Sequence, residues 1–289
     1  MDTNEKMNTA GMAESANGDI VIASQTAGLA RQWQDGMKNA TFQGSGQDFW
    51  DNWARSLPVK TGSSSYTEEV LNRMEIADTD SVLDVGAGTG ALAVPLAGRV
   101  RKVTALDQSR YMLEEILKKA ARQNLSNITT VNINWADVQV GCNVEEHDVV
   151  LVSRSLPSQE SIISSLRSIN MAARRSCYIT WKADSYDPLE SEICRRLNIE
   201  YRTFPGYELL CDLICSMGIH ASVDTFKISS QRIYRSVGDA FIQIIRSFQF
   251  QTLEEKNMVR SLLAENLEYN RGLYMQKKDA VWALISWNK

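Results

Sequence analysis

Three aspartates and three glycines carry the chemistry of this chain. Asp84, Asp107 and Asp137 each stand at or near the end of an apolar run, and Gly86, Gly88 and Gly90 follow the first. The stretch Val82-Leu83-Asp84-Val85-Gly86-Ala87-Gly88-Thr89-Gly90 reads as a buried strand that enters a glycine-rich turn, with a helix over 91–99 behind it. Val103-Thr104-Ala105-Leu106 reads as the next strand, and Asp107 closes it. A strand, a glycine turn, a helix, a strand and a terminal carboxylate are the parts of a nucleoside-binding βαβ unit. The glycines alone leave the ligand open. Gly86, Gly88 and Ala91 satisfy the dinucleotide pattern G-x-G-x-x-G/A, while Gly86, Gly88 and Gly90 satisfy G-x-G-x-G. Asp84 separates the two. A dinucleotide brings a pyrophosphate to the helix N-terminus, where amides and the helix dipole favour an anion. A carboxylate two residues before the first glycine opposes that charge and suits a ligand carrying sulfonium and ammonium groups.

Val82 to Gly90 resembles, at every position, the first motif of the class I S-adenosylmethionine (SAM)-dependent methyltransferases, h-h-D/E-h-G-x-G-x-G. The stretch Asp107-Gln108-Ser109-Arg110-Tyr111-Met112-Leu113 is similar to the family's D-x-S-x-x-M-L. In that family the acid ending the second strand holds both ribose hydroxyls. The matching residue is Asp107, whose ionised carboxylate can accept two charge-assisted hydrogen bonds. The family also places an acid after the third strand, against the adenine amino group. Residues 128–133 read as that strand, and Asn134-Trp135-Ala136-Asp137 makes Asp137 the match. The resemblance covers residues 65–182 well and the flanks loosely. It implies SAM as cofactor, bound by Asp84, Gly86, Ala87, Gly88, Gly90, Asp107, Gln108, Met112, Ala136, Asp137 and Ser153. It also implies an α/β fold: a Rossmann-like, doubly wound, mostly parallel seven-stranded sheet with helical N-terminal and C-terminal lid elements. An NAD(P)-dependent oxidoreductase and a non-catalytic SAM-binding sensor or partner protein are the alternatives.

The elements that must position these residues follow from periodicity. Residues 1–45 are rich in Ala, Gly, Asn, Ser and Thr, and read as a flexible N-terminal segment. Residues 46–78 read as lid helices. The first of these places Phe49, Trp50, Trp53 and Leu57 on one face; the second is expected to start from a capping box of Ser65 and Glu68. Residues 79–289 read as the SAM-binding domain. Its further strands are expected over 147–152, 176–181, 221–228 and 280–287, and the resemblance implies that the last is antiparallel and inserted beside the fifth. Two helices form an insertion at about 234–272, one carrying Val237, Ala240, Phe241, Ile244, Ile245 and Phe248 as a stripe, the other capped by Thr252 and Glu255.

Composition narrows the partners. With 31 Lys and Arg against 35 Asp and Glu, the chain has a formal charge of −4, which counts against a nucleic-acid partner. The basic pairs Lys118-Lys119 and Arg174-Arg175 read as solvated surface. No apolar run is long enough for a transmembrane helix and residues 1–19 lack a signal-peptide core, so a cytoplasmic location is expected, with no membrane partner. The five cysteines, Cys142, Cys177, Cys194, Cys211 and Cys215, form no C-x-x-C pair and read as core thiols, and no metal site is expected. His147 precedes the fourth strand, at the edge opposite the ligand crevice, and is not expected to be catalytic.

Methyl transfer from a sulfonium is an in-line displacement with a good neutral leaving group, so placement is the main requirement and a base is needed only for a protonated acceptor. No catalytic residue is assigned from the sequence. The acceptor pocket is expected from Trp50, Trp53, Tyr66, Arg154, Ser155 and Trp181, with Ser153 and Lys182 beside them. The end of strand four lacks the N/D-P-P-Y/F/W motif of amino-group methyltransferases acting on adenine or protein glutamine, and no cysteine follows a proline. A small-molecule acceptor, and a monomer or homodimer, are therefore expected.

Overall fold

The structure, a computed structural model, describes residues 24–40, 50–51, 64–156, 161–184, 186–244, 248, 250 and 252–289. Trp53, and most of the helix expected around it, lie outside them. The strands are β1 (Ser81–Val85), β2 (Lys102–Asp107), β3 (Ile128–Asn132), β4 (His147–Ser153), β5 (Ala173–Lys182), β6 (Ser222–Tyr234), β7 (Glu268–Asn270) and β8 (Leu273–Asn288). They form one sheet in the order β3-β2-β1-β4-β5-β8-β6, with β7 paired to β8. The first five strands are parallel, and β8 runs antiparallel between β5 and β6. The sheet therefore has eight strands, not seven; the short β7 is the addition. Strand order reverses between β1 and β4, which places a ligand crevice outside their carboxyl ends.

The helices are α1 (24–39), α2 (Ser65–Arg73), α3 (Ala93–Ala97), α4 (Arg110–Arg122), α5 (Ile162–Ala172), α6 (Pro188–Arg196), α7 (Tyr207–Ser216), α8 (Val237–Ile244) and α9 (Leu253–Asn266). Strand alternation distributes the core over two faces. Leu83, Val85, Val150, Val152, Cys177, Ile179, Ala283 and Ile285 pack on one face with Trp33 of α1, Ile162 and Leu166 of α5 and Leu210 and Leu213 of α7. Val82, Val149, Leu151, Tyr178 and Leu284 pack on the other with Tyr66 and Val70 of α2, Val94 and Leu96 of α3 and Leu113 and Ile116 of α4. A third cluster joins Ile193 of α6, Tyr234 of β6, Phe241 and Ile244 of α8, and Val259, Leu262 and Leu263 of α9.

Several elements differ from expectation, each for a local reason. The helix expected over 91–99 is confined to Ala93–Ala97: residues 88–92 turn, Pro95 is confined to the first helical turn, and Gly98 is the C-cap. Ser64, not Ser65, caps α2, accepting the Thr67 N–H at 3.2 Å; Ser63-Ser64-Ser65 offers three candidate caps in a row. The expected Thr252–Glu255 capping box is present at α9. β6 and β8 run well past the expected 228 and 280, pairing from Ser222↔Ser286 to Tyr234↔Tyr274. Their polar extensions look like loop in sequence, but the ladder satisfies their backbone and the third cluster covers Tyr234. Only Cys177 and Cys194 are core thiols; Cys142 and Cys215 are exposed and Cys211 is half-buried. Among the described residues no helix is long and apolar enough to cross a membrane.

Helix α1 corrects the reading of residues 1–45 as flexible over 24–39. Leu29, Trp33 and Met37 recur at four-residue steps and pack on the sheet, and Trp33 is 0% exposed with its ring 4.9 Å from that of Trp181. Trp33→Ala should cost about 3–5 kcal/mol in denaturant unfolding, the range for a buried aromatic truncation. A loss within about 0.5 kcal/mol, typical of surface sites, would show that α1 is not docked.

Candidate cofactor and acceptor site

The loop after β1 is built by left-handed backbone. Gly86, Gly88 and Gly90 have φ of 69°, 54° and 79°. The Gly86 and Ala87 amides both donate to the Leu106 carbonyl, at 2.8 and 2.9 Å, tying the loop to β2. A Cβ on Gly86 would collide with Ser155, whereas one on Gly88 would meet only the Met112 Sδ, at 3.5 Å. Gly86 is thus required by the protein's own packing. Gly88 leaves open space at the mouth of the crevice.

Asp84 points to the face of α2, α3 and α4 and is 2% exposed. The Ala93 N–H, the first amide of α3, lies close enough to pull the Asp84 pKa down. Burial first, and Asp107 second, push its carboxyl up to about 7, against the pull of Ala93 and Arg154. Asp107 accepts the Gly88 N–H at 2.9 Å on one oxygen and the Ser109 N–H at 2.8 Å on the other. Each oxygen keeps a lone pair, which is what two ribose hydroxyls require. Burial also raises the Asp107 carboxyl, with Asp51 contributing. Asp51, missed in the sequence, accepts the Ser109 hydroxyl and brings residues 50–51 over the end of β2. Trp50 lies beside it, half-buried.

Beyond Asp107, the Asn134 side chain caps the 3-10 turn Trp135–Asp137 by accepting the Ala136 N–H at 3.0 Å. That turn leaves Ala136 and Asp137 exposed. Gln108 is drawn to the same place: Asn134 donates to its side-chain oxygen at 3.5 Å, and Asn132 to its carbonyl at 2.9 Å. Met112 lies against Gly88 from α4. The residues expected to bind the cofactor thus gather at the carboxyl ends of β1, β2 and β3.

The expected acceptor residues divide. The Tyr66 hydroxyl meets the Ser153 and Thr180 hydroxyls at 2.8 and 2.7 Å, and its ring lies 5.0 Å from that of Trp282. The Arg154 guanidinium stacks 4.3 Å from the Tyr66 ring centroid, and burial raises the Tyr66 hydroxyl's pKa. Ser155 lies under the loop, its hydroxyl donating to the Val85 carbonyl. Trp181 faces the other side of the sheet, and its indole donates to the Pro205 carbonyl at 2.7 Å. Ser155 and Trp181 are therefore engaged in the protein's own packing, which corrects their reading as open acceptor contacts. Trp282 was missed because it sits inside a strand that reads as plain core. His147 lies at the amino end of β4, its ring within 2.8 Å of the Thr104 hydroxyl, away from the crevice.

These groups fit a cationic nucleoside. Asp84 lies buried beside the α3 amide that a pyrophosphate would use, and Asp107 and Asp51 lie close by, so the site repels an anion. The raised Asp84 carboxyl has a consequence for stability. The folded protein holds this proton above the pH at which the unfolded chain releases it. Its contribution is full below about pH 4 and is lost as pH rises to about 7. Across that window thermal melts should show wild type losing stability relative to Asp84→Asn, on the order of 1 kcal/mol per pH unit. A constant difference would refute the buried proton.

Comparison with known proteins agrees with this geometry. A family model described as a methyltransferase domain matches residues 82–173. An uncharacterised protein of Haemophilus influenzae is 28% identical over 230 residues, 78% of this chain and 82% of that protein. A probable ribosomal RNA small subunit methyltransferase A of Methanococcus maripaludis is 38% identical over 73 residues, 25% of this chain and 26% of its own length. The crystal structure of coclaurine N-methyltransferase bound to N-methylheliamine and S-adenosylhomocysteine shares the fold, with a TM-score of 0.50 at 14% identity, covering 91% of this chain and 88% of that one. The methyltransferase-domain match over residues 82–173, together with loop, acids and strand order, makes this chain similar to the class I SAM-dependent methyltransferases.

Proposed function

We propose that this protein transfers a methyl group from SAM to a small-molecule acceptor. The observation that carries the reading is the buried Asp84 carboxyl beside the start of α3 and next to Asp107, which sets acids where a phosphate would otherwise sit. The cofactor supplies an electrophilic methyl group on a sulfonium. Asp107 holds the ribose hydroxyls with its two remaining lone pairs. Ala136 and Asp137 meet the adenine, and Gln108 and Met112 line the nucleoside. Asp84 and the Gly86–Gly90 loop receive the methionine end. Tyr66, Arg154 and Trp282 form the acceptor's side of the crevice, where they position the nucleophile and exclude water.

A small acceptor is favoured by the surface charge. Lys118 pairs with Glu115, Arg174 with Glu146 and Arg175 with Asp80, so these basic spots are compensated within the chain. The ribosomal RNA methyltransferase likeness spans only a quarter of either protein, and an RNA acceptor would show steeply salt-dependent RNA binding. The coclaurine enzyme, by contrast, is similar over 88% of its length and was solved with N-methylheliamine bound.

Calorimetry should show binding of SAM and S-adenosylhomocysteine, weakened about 100-fold in Asp107→Ala by the loss of two charge-assisted hydrogen bonds. Tight NADH binding without SAM binding would refute the proposal in favour of an oxidoreductase. The loop gives a second test. Gly88→Ala should lose SAM binding with only the modest drop in melting temperature that its left-handed backbone imposes, because its methyl meets nothing closer than the Met112 Sδ. Gly86→Ala should lower the melting temperature itself, because its methyl meets Ser155. Equal effects on fold and binding at both positions would mean that the glycines serve only the turn.

A further inference from the structure

We propose that Lys182 binds a carboxylate of the methyl acceptor, so that the acceptor is a small carboxylic acid; this rests on the methyltransferase reading above. Lys182 ends β5 and pairs in register with Trp282 of β8. By strand alternation it shares a face with Thr180, which bonds Tyr66, and with Trp282, which packs on Tyr66. It therefore stands on the acceptor's side of the crevice. The same face of β8 continues through Ala280 to Lys278, about 7 Å for each step of two residues.

Lys278 is already neutralised. Its ammonium lies 2.6 Å from Asp187, whose side chain is 6% exposed. Asp187 also accepts the Leu189 and Glu190 amides at 3.1 Å as the cap of α6. Glu190 leans toward Lys278 at 4.0 Å, and burial and Asp187 raise its carboxyl. Asp184 is exposed and accepts the Tyr186 N–H. Lys182 feels all four of these groups, yet among the described residues it has no hydrogen bond and no ion pair within 4.0 Å. Burial is the first cause that lowers its pKa, followed by Lys278. A half-buried cation left without an anion beside a reaction crevice is the arrangement of a binding group. The acids around it select the anion: a dianion would be repelled by Asp187 and Glu190, whereas a single carboxylate meets one ammonium that has no ion pair among the described residues.

The test uses the full chain with S-adenosylhomocysteine. Ligand-observed NMR would compare benzoate, phenylacetate and indole-3-acetate with their neutral amides and with phenyl phosphate. The carboxylates should bind at least about tenfold more tightly than the amides, the equivalent of roughly 1.4 kcal/mol. Lys182→Met should abolish that preference and Lys182→Arg should keep it, with S-adenosylhomocysteine affinity and melting temperature near wild type in both. Four results would overturn the proposal: equal binding of acids and amides, a preference that survives Lys182→Met, a stronger response to phenyl phosphate, or no carboxylate bound at millimolar concentration. Failure of S-adenosylhomocysteine to bind would instead strike the methyltransferase reading, and the carboxylate preference would still be read separately.

Discussion

The burial of the Asp84 carboxyl beside the start of α3, next to Asp107, is the constraint on which the rest of this site depends. The first amides of a helix need acceptors, and in most nucleotide folds a phosphate supplies them. Here the chain supplies its own acid from the neighbouring strand. That choice sets a second acid beside Asp107, whose charge raises the Asp84 carboxyl. It also removes the anion site and leaves a buried carboxyl whose charge is completed by a cation. The strand reversal between β1 and β4 then determines where that cation must lie.

The parts of this arrangement legible in sequence are those governed by local rules. β1, β2 and β3 are short apolar runs ending in acids, and the loop between β1 and α3 needs glycine at positive φ. The capping box of α9 is a four-residue signal and appears as expected. The elements that misled are those whose stability is tertiary. Helix α1 has a narrow apolar stripe of Leu29, Trp33 and Met37 in a polar, small-residue context, and its packing on the sheet, Trp33 against Trp181 included, makes it part of the core. The outer halves of β6 and β8 lack apolar alternation because their partner is each other's backbone.

The acceptor residues show the same division more sharply. Tyr66, Arg154, Ser155 and Trp181 are neighbours in any reading that projects strand ends onto one crevice. Strand alternation separates them. Thr180 faces Tyr66, so Trp181 must face Trp33 on the other side of the sheet. Ser155 is consumed by the space that Gly86 leaves. Trp282 enters instead because β8 lies antiparallel beside β5, a pairing that joins residues about a hundred positions apart and leaves no local trace.

Charge then links the two ends of the crevice. Asp84, Asp107 and Asp51 make one end acidic, suited to a cationic methyl donor. At the other end Asp187 and Lys278 cancel, so the field there is set by what is left unpaired. An acceptor with a single negative charge completes that end and is held away from the acids by the same field that attracts it. Its uncharged nucleophile is then the part that must approach the methyl group. On the proposed reading, acids at one end and the Lys182 ammonium at the other would orient the acceptor before any contact at the reacting atom, which is the work that a transfer with a good leaving group most requires of a protein.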